Sequence, residues 1–167
     1  MQKVLIIRGP LGIGKSTISK LVAKKLNGTY YSIDDILAKN KLDICDEKIG
    51  CIPESNFIRG NELLLNSIKK DLRNNISVVI DGNFYQKGAL IHLLEELKEY
   101  EPKVFTLKAD VKICIQRDSQ RKVPHGEGAA MAVHNLVSKF DYGFIVKNED
   151  SNIEEKVNEI ISKLIQK

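Results

Sequence analysis

The stretch GPLGIGKST, residues 9–17, lies just after the apolar run VLII at residues 4–7 and just before a helical pattern. A glycine, four residues and then Gly-Lys-Ser is the spacing of a loop whose backbone N–H groups curl around a phosphate. The helix that follows adds its positive end, the lysine reaches the β and γ phosphates, and the serine hydroxyl binds Mg²⁺. The stretch therefore predicts a nucleoside triphosphate site rather than a simple glycine-rich turn. The residues predicted to form it are Gly9, Pro10, Leu11, Gly12, Ile13, Gly14, Lys15, Ser16 and Thr17.

Short apolar runs alternate with amphipathic helical patterns along the whole chain. Apolar residues at i, i+3, i+4 and i+7 predict helices whose apolar faces pack on a sheet. Continuous apolarity in the short runs is typical of parallel strands buried on both faces. This alternation predicts an α/β fold, a three-layer sandwich around a five-stranded parallel sheet. The five buried strands are predicted at 4–7, 30–33, 78–80, 104–107 and 144–146.

The composition fits one globular unit. The chain has 167 residues, of which 43% are apolar and 29% charged, and we expect a single domain over residues 1–167. The net charge of +4 permits a polyanionic partner without requiring one. Three cysteines without a CxxC pair argue against a disulfide framework or a structural zinc site. With no long apolar run and no export signal, we expect a cytoplasmic protein that does not contact membranes.

Two stretches are predicted to be irregular, residues 40–55 and residues 122–128, where glycine and proline interrupt the helical patterns. Loops of this kind more often cover a site than join domains. We therefore expect an acceptor-side region at about 38–60 and a lid at about 117–138.

The segment SIDDIL, residues 32–37, places two carboxylates after the second predicted strand. The carboxyl ends of parallel strands share one edge of the sheet, so Asp34 is expected beside the phosphate loop. There it could accept the proton of an acceptor hydroxyl and orient it for attack on the γ phosphorus. Helix capping by Asp34 or Asp35 is the alternative, and both roles can coexist in the pair.

The segment VVIDGN, residues 78–83, ends the third predicted strand with Asp81. A carboxylate in this position binds Mg²⁺ directly or through water in nucleotide-binding proteins. A plain Asp-Gly turn is the competing interpretation, and Asp34 could share the metal.

Three arginines are candidates for contacts with phosphate or acceptor. Arg117 and Arg121 lie four residues apart and therefore project from one side of a helix, which suits phosphate clamping when the lid closes. A solvated basic face is the alternative. Arg59 lies early in a long helix after the first irregular stretch and is either an acceptor-side residue or an ordinary surface arginine. The three histidines are assigned no chemistry.

These motifs resemble the P-loop kinases, in particular the kinase domain of phage polynucleotide kinase. Shikimate and gluconate kinases, chloramphenicol phosphotransferase and zeta toxins are related families. GPLGIGKST is similar to their phosphate loop, YYSIDDIL to the segment carrying the general base, VIDGN to an Asp-x-Asn motif, and CIQRDSQR to the lid. The resemblance covers roughly residues 3–147. It implies a sheet order of 2-3-1-4-5, Asp34 as base, and Asn83 on the substrate side.

One departure concerns the acceptor. The polynucleotide kinase pattern has an arginine for the acceptor phosphate two residues after the aspartate pair, where this chain has Leu37. FIRGNELLL instead resembles the Phe-Arg-x-x-Glu helix of shikimate and gluconate kinases, with one extra residue, which makes Arg59 the acceptor-side candidate. By the same resemblance, Lys147 and Asn148 would lie against the adenine.

Together these features predict a kinase that uses ATP and Mg²⁺, with GTP not excluded as donor. Lys15 and the loop amides hold the phosphates, Ser16 and Asp81 organise Mg²⁺, and Asp34 takes the proton. Arg117 and Arg121 close over the leaving group, while Asp35, Arg59 and Asn83 contact the acceptor. A small hydroxyl-bearing acceptor is favoured, and a nucleoside or a polynucleotide 5′-hydroxyl is also consistent. The alternatives from other classes are a regulatory NTPase without an acceptor and an ATP-binding sensor.

Overall fold

A computed structural model describes residues 2–150 and 152–165, which contain five strands, seven α-helices and a 3-10 helix at Lys98–Tyr100. Within these residues, no helix combines the length and the apolarity needed to cross a membrane. The elements in chain order are β1 (Val4–Arg8), α1 (Lys15–Lys25), β2 (Thr29–Ser32), α2 (Ile33–Lys39), α3 (Glu54–Arg73), β3 (Val78–Gly82), α4 (Lys87–Glu96), β4 (Lys103–Lys108), α5 (Val111–Ser119), α6 (Glu127–Val137), β5 (Phe144–Lys147) and α7 (Ile153–Ile165).

The five strands form one parallel sheet in the order β2-β3-β1-β4-β5, which confirms the expected α/β fold and strand order. β1 lies in the centre, between β3 and β4. In the register of the sheet, Ile7 pairs with Asp81, and Asp81 pairs with Ser32 on the other side. The ends of β1, β2 and β3 are therefore level, and the segments that follow them meet at one edge.

Helices cover both faces of the sheet, and side chains alternate between two cores. Val4 and Ile6 of β1 belong to the core under α2, α3 and α4. Leu5 and Ile7 belong to the core under α1, α5 and α7. All four residues are at most 2% exposed, which explains why the strand sequence is apolar without alternation.

The prediction of five buried strands was wrong for the two edge strands. β2 is half-buried throughout, and only one residue of β5 is buried, while Phe144 is 39% exposed. An edge strand has a neighbour on one side only, and the helices that cover the centre of the sheet reach it less completely.

Two helices, α2 and α6, were not predicted, and each begins inside a stretch that was predicted to have another structure. α2 begins at Ile33, inside the predicted second strand, because the Ser32 hydroxyl accepts a hydrogen bond from the Asp35 N–H (3.1 Å) and caps the helix. α6 begins at Glu127 and α3 at Glu54, so the irregular stretches predicted at 122–128 and 40–55 each end two residues early. The predicted lid thus contains a helix of 11 residues.

Arg8, the last residue of β1, is completely buried and joins the sheet to α6. Its guanidinium donates hydrogen bonds to the carbonyl oxygens of Val137 and Phe140, both at 3.0 Å, and lies 4.1 Å from the centre of the Phe140 ring. Burial lowers the pKa of Arg8 to about 10, although Asp141 opposes the shift. A cation that binds the last carbonyls of a helix is stabilised by the helix dipole. Arg8 therefore fixes the carboxyl end of α6 to the strand that precedes the phosphate loop.

We predict that Arg8→Met lowers the free energy of unfolding by about 3 kcal/mol, because two buried carbonyls lose their donor. Urea denaturation measures the change, with Arg73→Met at the exposed end of α3 as the control. Equal stability of the two variants would contradict the role assigned to Arg8.

Candidate active site

The phosphate loop connects β1 to α1 and forms a concave wall at the edge of the sheet. Gly12 and Gly14 have φ angles of +73° and +89°, which side-chain-bearing residues rarely adopt. A Cβ on Gly12 would overlap the backbone carbonyl of Cys114 on α5, so the loop and α5 can approach each other only at a glycine. The loop borders a cavity of about 250 Å³ lined by Gly12, Gly14, Lys15, Ser16, Thr17, Arg117 and Arg121.

Lys15 begins α1 and is only 6% exposed. Its ammonium group donates to the Asn83 side-chain oxygen at 3.0 Å and to the Pro10 carbonyl at 3.3 Å. Asn83 follows β3 and is also buried. The lysine of the loop and the Asp-x-Asn motif, separate in the sequence, are thus in direct contact.

Asp81 lies in β3 and is completely buried. Its Oδ2 accepts a hydrogen bond from the Tyr30 hydroxyl at 2.8 Å, whereas its Oδ1 is buried without a partner among the described residues. Mg²⁺ prefers one or two carboxylates together with hydroxyl, water and phosphate oxygens. Asp81 and Ser16 fit this set, and within the described residues no group of three or more His, Cys, Asp or Glu side chains could hold a metal on its own.

Asp34 lies in the first turn of α2, half-buried, and its Oδ1 accepts from the backbone N–H of Asn83 at 3.4 Å. Burial raises the pKa of Asp34 above its usual value. The positive charge of Lys15 opposes this shift and the negative charge of Asp81 adds to it. A carboxylate with a raised pKa is a better proton acceptor than an exposed one, so the environment of Asp34 suits a general base.

A second cavity, of about 370 Å³, lies on the Asp34 side of the loop. Lys15, Ser16 and Arg121 line both cavities, so the two adjoin at these residues. The second cavity is lined by residues of the predicted acceptor-side region, Ala38, Asp43, Cys45 and Ile52, and of the predicted lid, Arg121, His125 and Val133. Its other lining residues are Leu11, Ser32, Asp34, Asp35, Leu37, Asn83 and Tyr85.

The two arginines of the predicted lid do not share one helix, because α5 contains Arg117 but ends before Arg121. They also differ in their contacts. Arg117 donates to the carbonyl oxygens of Asn148 (2.7 Å) and Asp150 (2.9 Å) and so attaches the loop after β5 to α5. Arg121 lies 3.3 Å from Nδ1 of His125 and is about half exposed. Both border the first cavity, of about 250 Å³, and their part in phosphate binding stays a prediction.

Asp118 was not singled out in the sequence, although it lies between the two arginines. It is 1% exposed and accepts hydrogen bonds from the backbone N–H groups of His125 (2.9 Å) and Gly126 (3.1 Å) and from the His125 ring (3.0 Å). Burial alone would raise the pKa of Asp118, but these hydrogen bonds outweigh it and hold the pKa below its usual value. Asp118 therefore closes the turn that leads from α5 into α6.

Three other residues singled out in the sequence are placed as follows. Arg59 is exposed, pairs with Glu62 at 2.9 Å, and lines neither cavity. Asn148 is 3% exposed, and its amide donates to the Ile13 carbonyl at 2.7 Å, which ties the loop after β5 to the phosphate loop. Leu37 is buried in the core and borders the second cavity.

The fold and this strand–loop–helix site define a P-loop kinase fold, and solved structures share it. A gluconokinase from Sinorhizobium meliloti 1021 superposes with a TM-score of 0.68 at 13% identity, over 97% of this chain and 91% of that one. A sugar kinase from Janibacter sp. HTCC2649 gives 0.76 at 13% identity, over 99% and 96% of the two chains. The chain belongs to the family described as "Chromatin associated protein KTI12", which it matches over residues 3–167.

Nucleotide kinases are among the curated relatives. The cytidylate kinase of Mycoplasmopsis synoviae (strain 53) is 47% identical over 51 residues, which are 26% of this chain and 23% of the relative. That of Clostridium botulinum (strain Hall) is 34% identical over 103 residues, 56% of this chain and 46% of the relative. The chain thus spans less than half the length of these relatives.

We predict that Gly12→Ala destabilises the protein by at least about 2 kcal/mol, because it combines a positive φ with a clash against the Cys114 carbonyl. Thermal unfolding measures the effect. Gly128→Ala is the matched control, since a Cβ at Gly128 in α6 meets no atom within 4 Å. A Gly12→Ala protein as stable as this control would refute the close packing of loop and α5.

Proposed function

We propose that this chain is an ATP- and Mg²⁺-dependent kinase that transfers the γ-phosphoryl group to a hydroxyl of a small acceptor. The observation that carries the proposal is the meeting of the two cavities at Lys15, Ser16 and Arg121. An enzyme that only hydrolyses ATP needs space for water next to the γ phosphate. A cavity of about 370 Å³ with a half-buried carboxylate supports a second substrate instead.

In this proposal the loop amides and Lys15 hold the β and γ phosphates of ATP. Ser16 and Asp81 would hold Mg²⁺, which supplies positive charge to the phosphate oxygens when bound. Arg121 borders both cavities and would face the phosphoryl group between them. Arg117 supports the site from the side, through the loop after β5.

Asp34 acts as the base. The acceptor hydroxyl gives its proton to the Asp34 carboxylate while its oxygen forms a bond to the γ phosphorus. The bond from that phosphorus to the oxygen bridging it to the β phosphate breaks, and ADP leaves with the electron pair. The Asn83 backbone N–H holds Asp34, and the Asn83 side chain holds Lys15, so one residue links the base to the phosphate-binding lysine.

The acceptor end of the second cavity favours a small molecule without a phosphate group. Leu37 borders it where the polynucleotide kinase pattern has an arginine for the acceptor phosphate, and Arg59 lies outside it. Apart from Lys15 and Arg121, which also border the first cavity, and His125, the charged residues that line it are the carboxylates Asp34, Asp35 and Asp43, which repel an anionic acceptor. A nucleoside monophosphate, the acceptor after which the cytidylate kinases are named, is therefore disfavoured.

The lid of the proposed enzyme, about residues 117–138, is attached at both ends. Asp118 closes its first turn, and Arg8 holds the end of α6 through Val137. The segment between the two attachments carries Arg121 to the junction of the cavities. Closure of this segment would exclude water from the transfer.

A second candidate function is a regulatory P-loop NTPase without an acceptor. The family description favours it, because that description names an association with chromatin and no transfer reaction. This candidate needs no base at Asp34, so the two functions differ in what an Asp34 substitution does.

We predict that labelled γ-phosphate passes from ATP to at least one member of a panel of sugars, amino alcohols, nucleosides and 5′-hydroxyl oligonucleotides. Asp34→Asn should slow transfer by about 100-fold or more, since general base catalysis contributes that much. Asp141→Asn, which removes an exposed carboxylate paired with Lys108, is the control and should leave the rate unchanged. ATP hydrolysis that needs no acceptor and survives Asp34→Asn would support the NTPase and refute the kinase.

The pH dependence gives a separate prediction. Because the base works only when deprotonated, kcat/KM should fall as the pH drops through the pKa of Asp34. Burial raises that pKa, so the fall should begin at a higher pH than for an exposed aspartate. A rate profile that is flat across the acid range would contradict the assignment of Asp34 as base.

A further inference from the structure

We infer that Tyr30 is a positioning residue for the metal site, whose hydroxyl orients the Asp81 carboxylate toward Mg²⁺. The inference rests on the proposed binding of Mg²⁺ and nucleotide at the phosphate loop. Tyr30 lies on the edge strand β2 and begins the segment YYSIDDIL, in which only the two aspartates are candidates from the sequence.

The first observation is that one oxygen of the Asp81 carboxylate is held by a hydrogen bond. The Tyr30 hydroxyl donates to Oδ2 of Asp81 at 2.8 Å, while Oδ1 is buried and has no partner among the described residues. A buried carboxylate oxygen without a donor is costly unless a cation or a water molecule reaches it. With Oδ2 held by the tyrosine, the carboxylate cannot rotate freely, and Oδ1 is the atom left to bind.

The second observation is the position of the Tyr30 ring relative to α1. The Tyr30 ring lies beside α1, with the ammonium group of Lys20, one turn after Ser16, 5.2 Å from the ring centre. The ring therefore packs beside the helix that carries Ser16, the second proposed metal ligand, and its hydroxyl reaches Asp81.

The direction of the bond between Tyr30 and Asp81 determines which lone pairs remain free. An ionised carboxylate only accepts hydrogen bonds, so the phenol hydroxyl is the donor and Oδ2 is occupied. Oδ1 keeps its lone pairs available for a cation. One hydroxyl thus fixes the orientation of a proposed metal ligand.

Tyr31 is a matched control in the next position of the same strand. Its hydroxyl donates to Oδ2 of Asp71 at 2.9 Å, which is the same type of bond with the same type of partner. Tyr31 packs against the opposite core and lines neither described cavity. Tyr30→Phe and Tyr31→Phe therefore each remove a hydroxyl that donates to an aspartate. Only Tyr30→Phe removes it from the proposed metal site.

The experiment is calorimetric titration of ATP, with and without Mg²⁺, into the parent protein, Tyr30→Phe and Tyr31→Phe. Residues that orient metal ligands typically change metal affinity 10- to 100-fold when mutated. We expect the gain in ATP affinity produced by Mg²⁺ to fall by about tenfold in Tyr30→Phe, with metal-free ATP binding unchanged. Tyr31→Phe should keep the full gain.

A double-mutant cycle separates positioning from general loss of stability. In an Asp81→Asn background, which lacks the metal carboxylate, Tyr30→Phe should have no further effect on the Mg²⁺-dependent gain. Spectroscopy of Mn²⁺ bound with ADP gives a second measure of metal affinity and should follow the same order. A full Mg²⁺ gain in Tyr30→Phe, an equal loss in Tyr31→Phe, or no Mg²⁺ effect in the parent would each overturn the inference.

None of these titrations contains an acceptor. A missing transfer reaction would therefore refute the kinase and leave the role of Tyr30 to be judged by the titrations alone.

Discussion

The shape of the phosphate loop depends on two constraints: the loop starts at the end of a fully buried strand, and it turns at positions whose backbone conformation favours glycine. β1 lies in the middle of the sheet with helices over both faces, so the point at which it ends is fixed by the whole core. The chain then turns through Gly12 and Gly14 at positive φ, and Gly12 passes so close to α5 that no side chain fits. The first backbone N–H groups of α1, which have no partner within a helix, begin at this edge of the sheet and are available to an anion.

Each of the other site residues lies at this edge for the same reason. β2 and β3 end level with β1. Asp81 lies near the end of β3, Asn83 follows β3, and Asp34 follows β2, so the aligned strands bring all three residues to this edge. The sheet supplies the positions, and a few polar contacts supply the orientations. Lys15 binds Asn83, Asn83 binds Asp34, and Tyr30 binds Asp81.

The sequence predicted the parts of this arrangement that depend on local pattern. The phosphate loop, the strand order and the placement of Asp81 follow from spacing, apolarity and resemblance. α2 was missed because its seven residues follow directly on β2, and the β-branched Ile33 that starts it also suits a strand. The exposed position of Arg59 follows from helical periodicity: Phe57 and Asn61 mark the buried face of α3, and a residue midway between them points away from it.

Contacts between residues far apart in the chain could not be predicted from local sequence patterns. Arg8 reaches Val137 across 129 positions, and Tyr30 reaches Asp81 across 51. An arginine at the end of a buried strand is the one signal that could have indicated the first contact, since a buried charge requires partners. Asp118 had no such signal, because an aspartate between two arginines in the sequence predicts an ordinary surface ion pair.

The central claim, that the loop at residues 9–17 grips a triphosphate, is tested most directly by calorimetric titration of MgATP into the folded parent protein and into Lys15→Ala. The account predicts measurable binding to the parent and affinity at least about tenfold weaker for Lys15→Ala, because the buried ammonium group contributes a charge-assisted hydrogen bond to phosphate. Correctly folded parent protein that gives no binding heat with either ATP or GTP would contradict it.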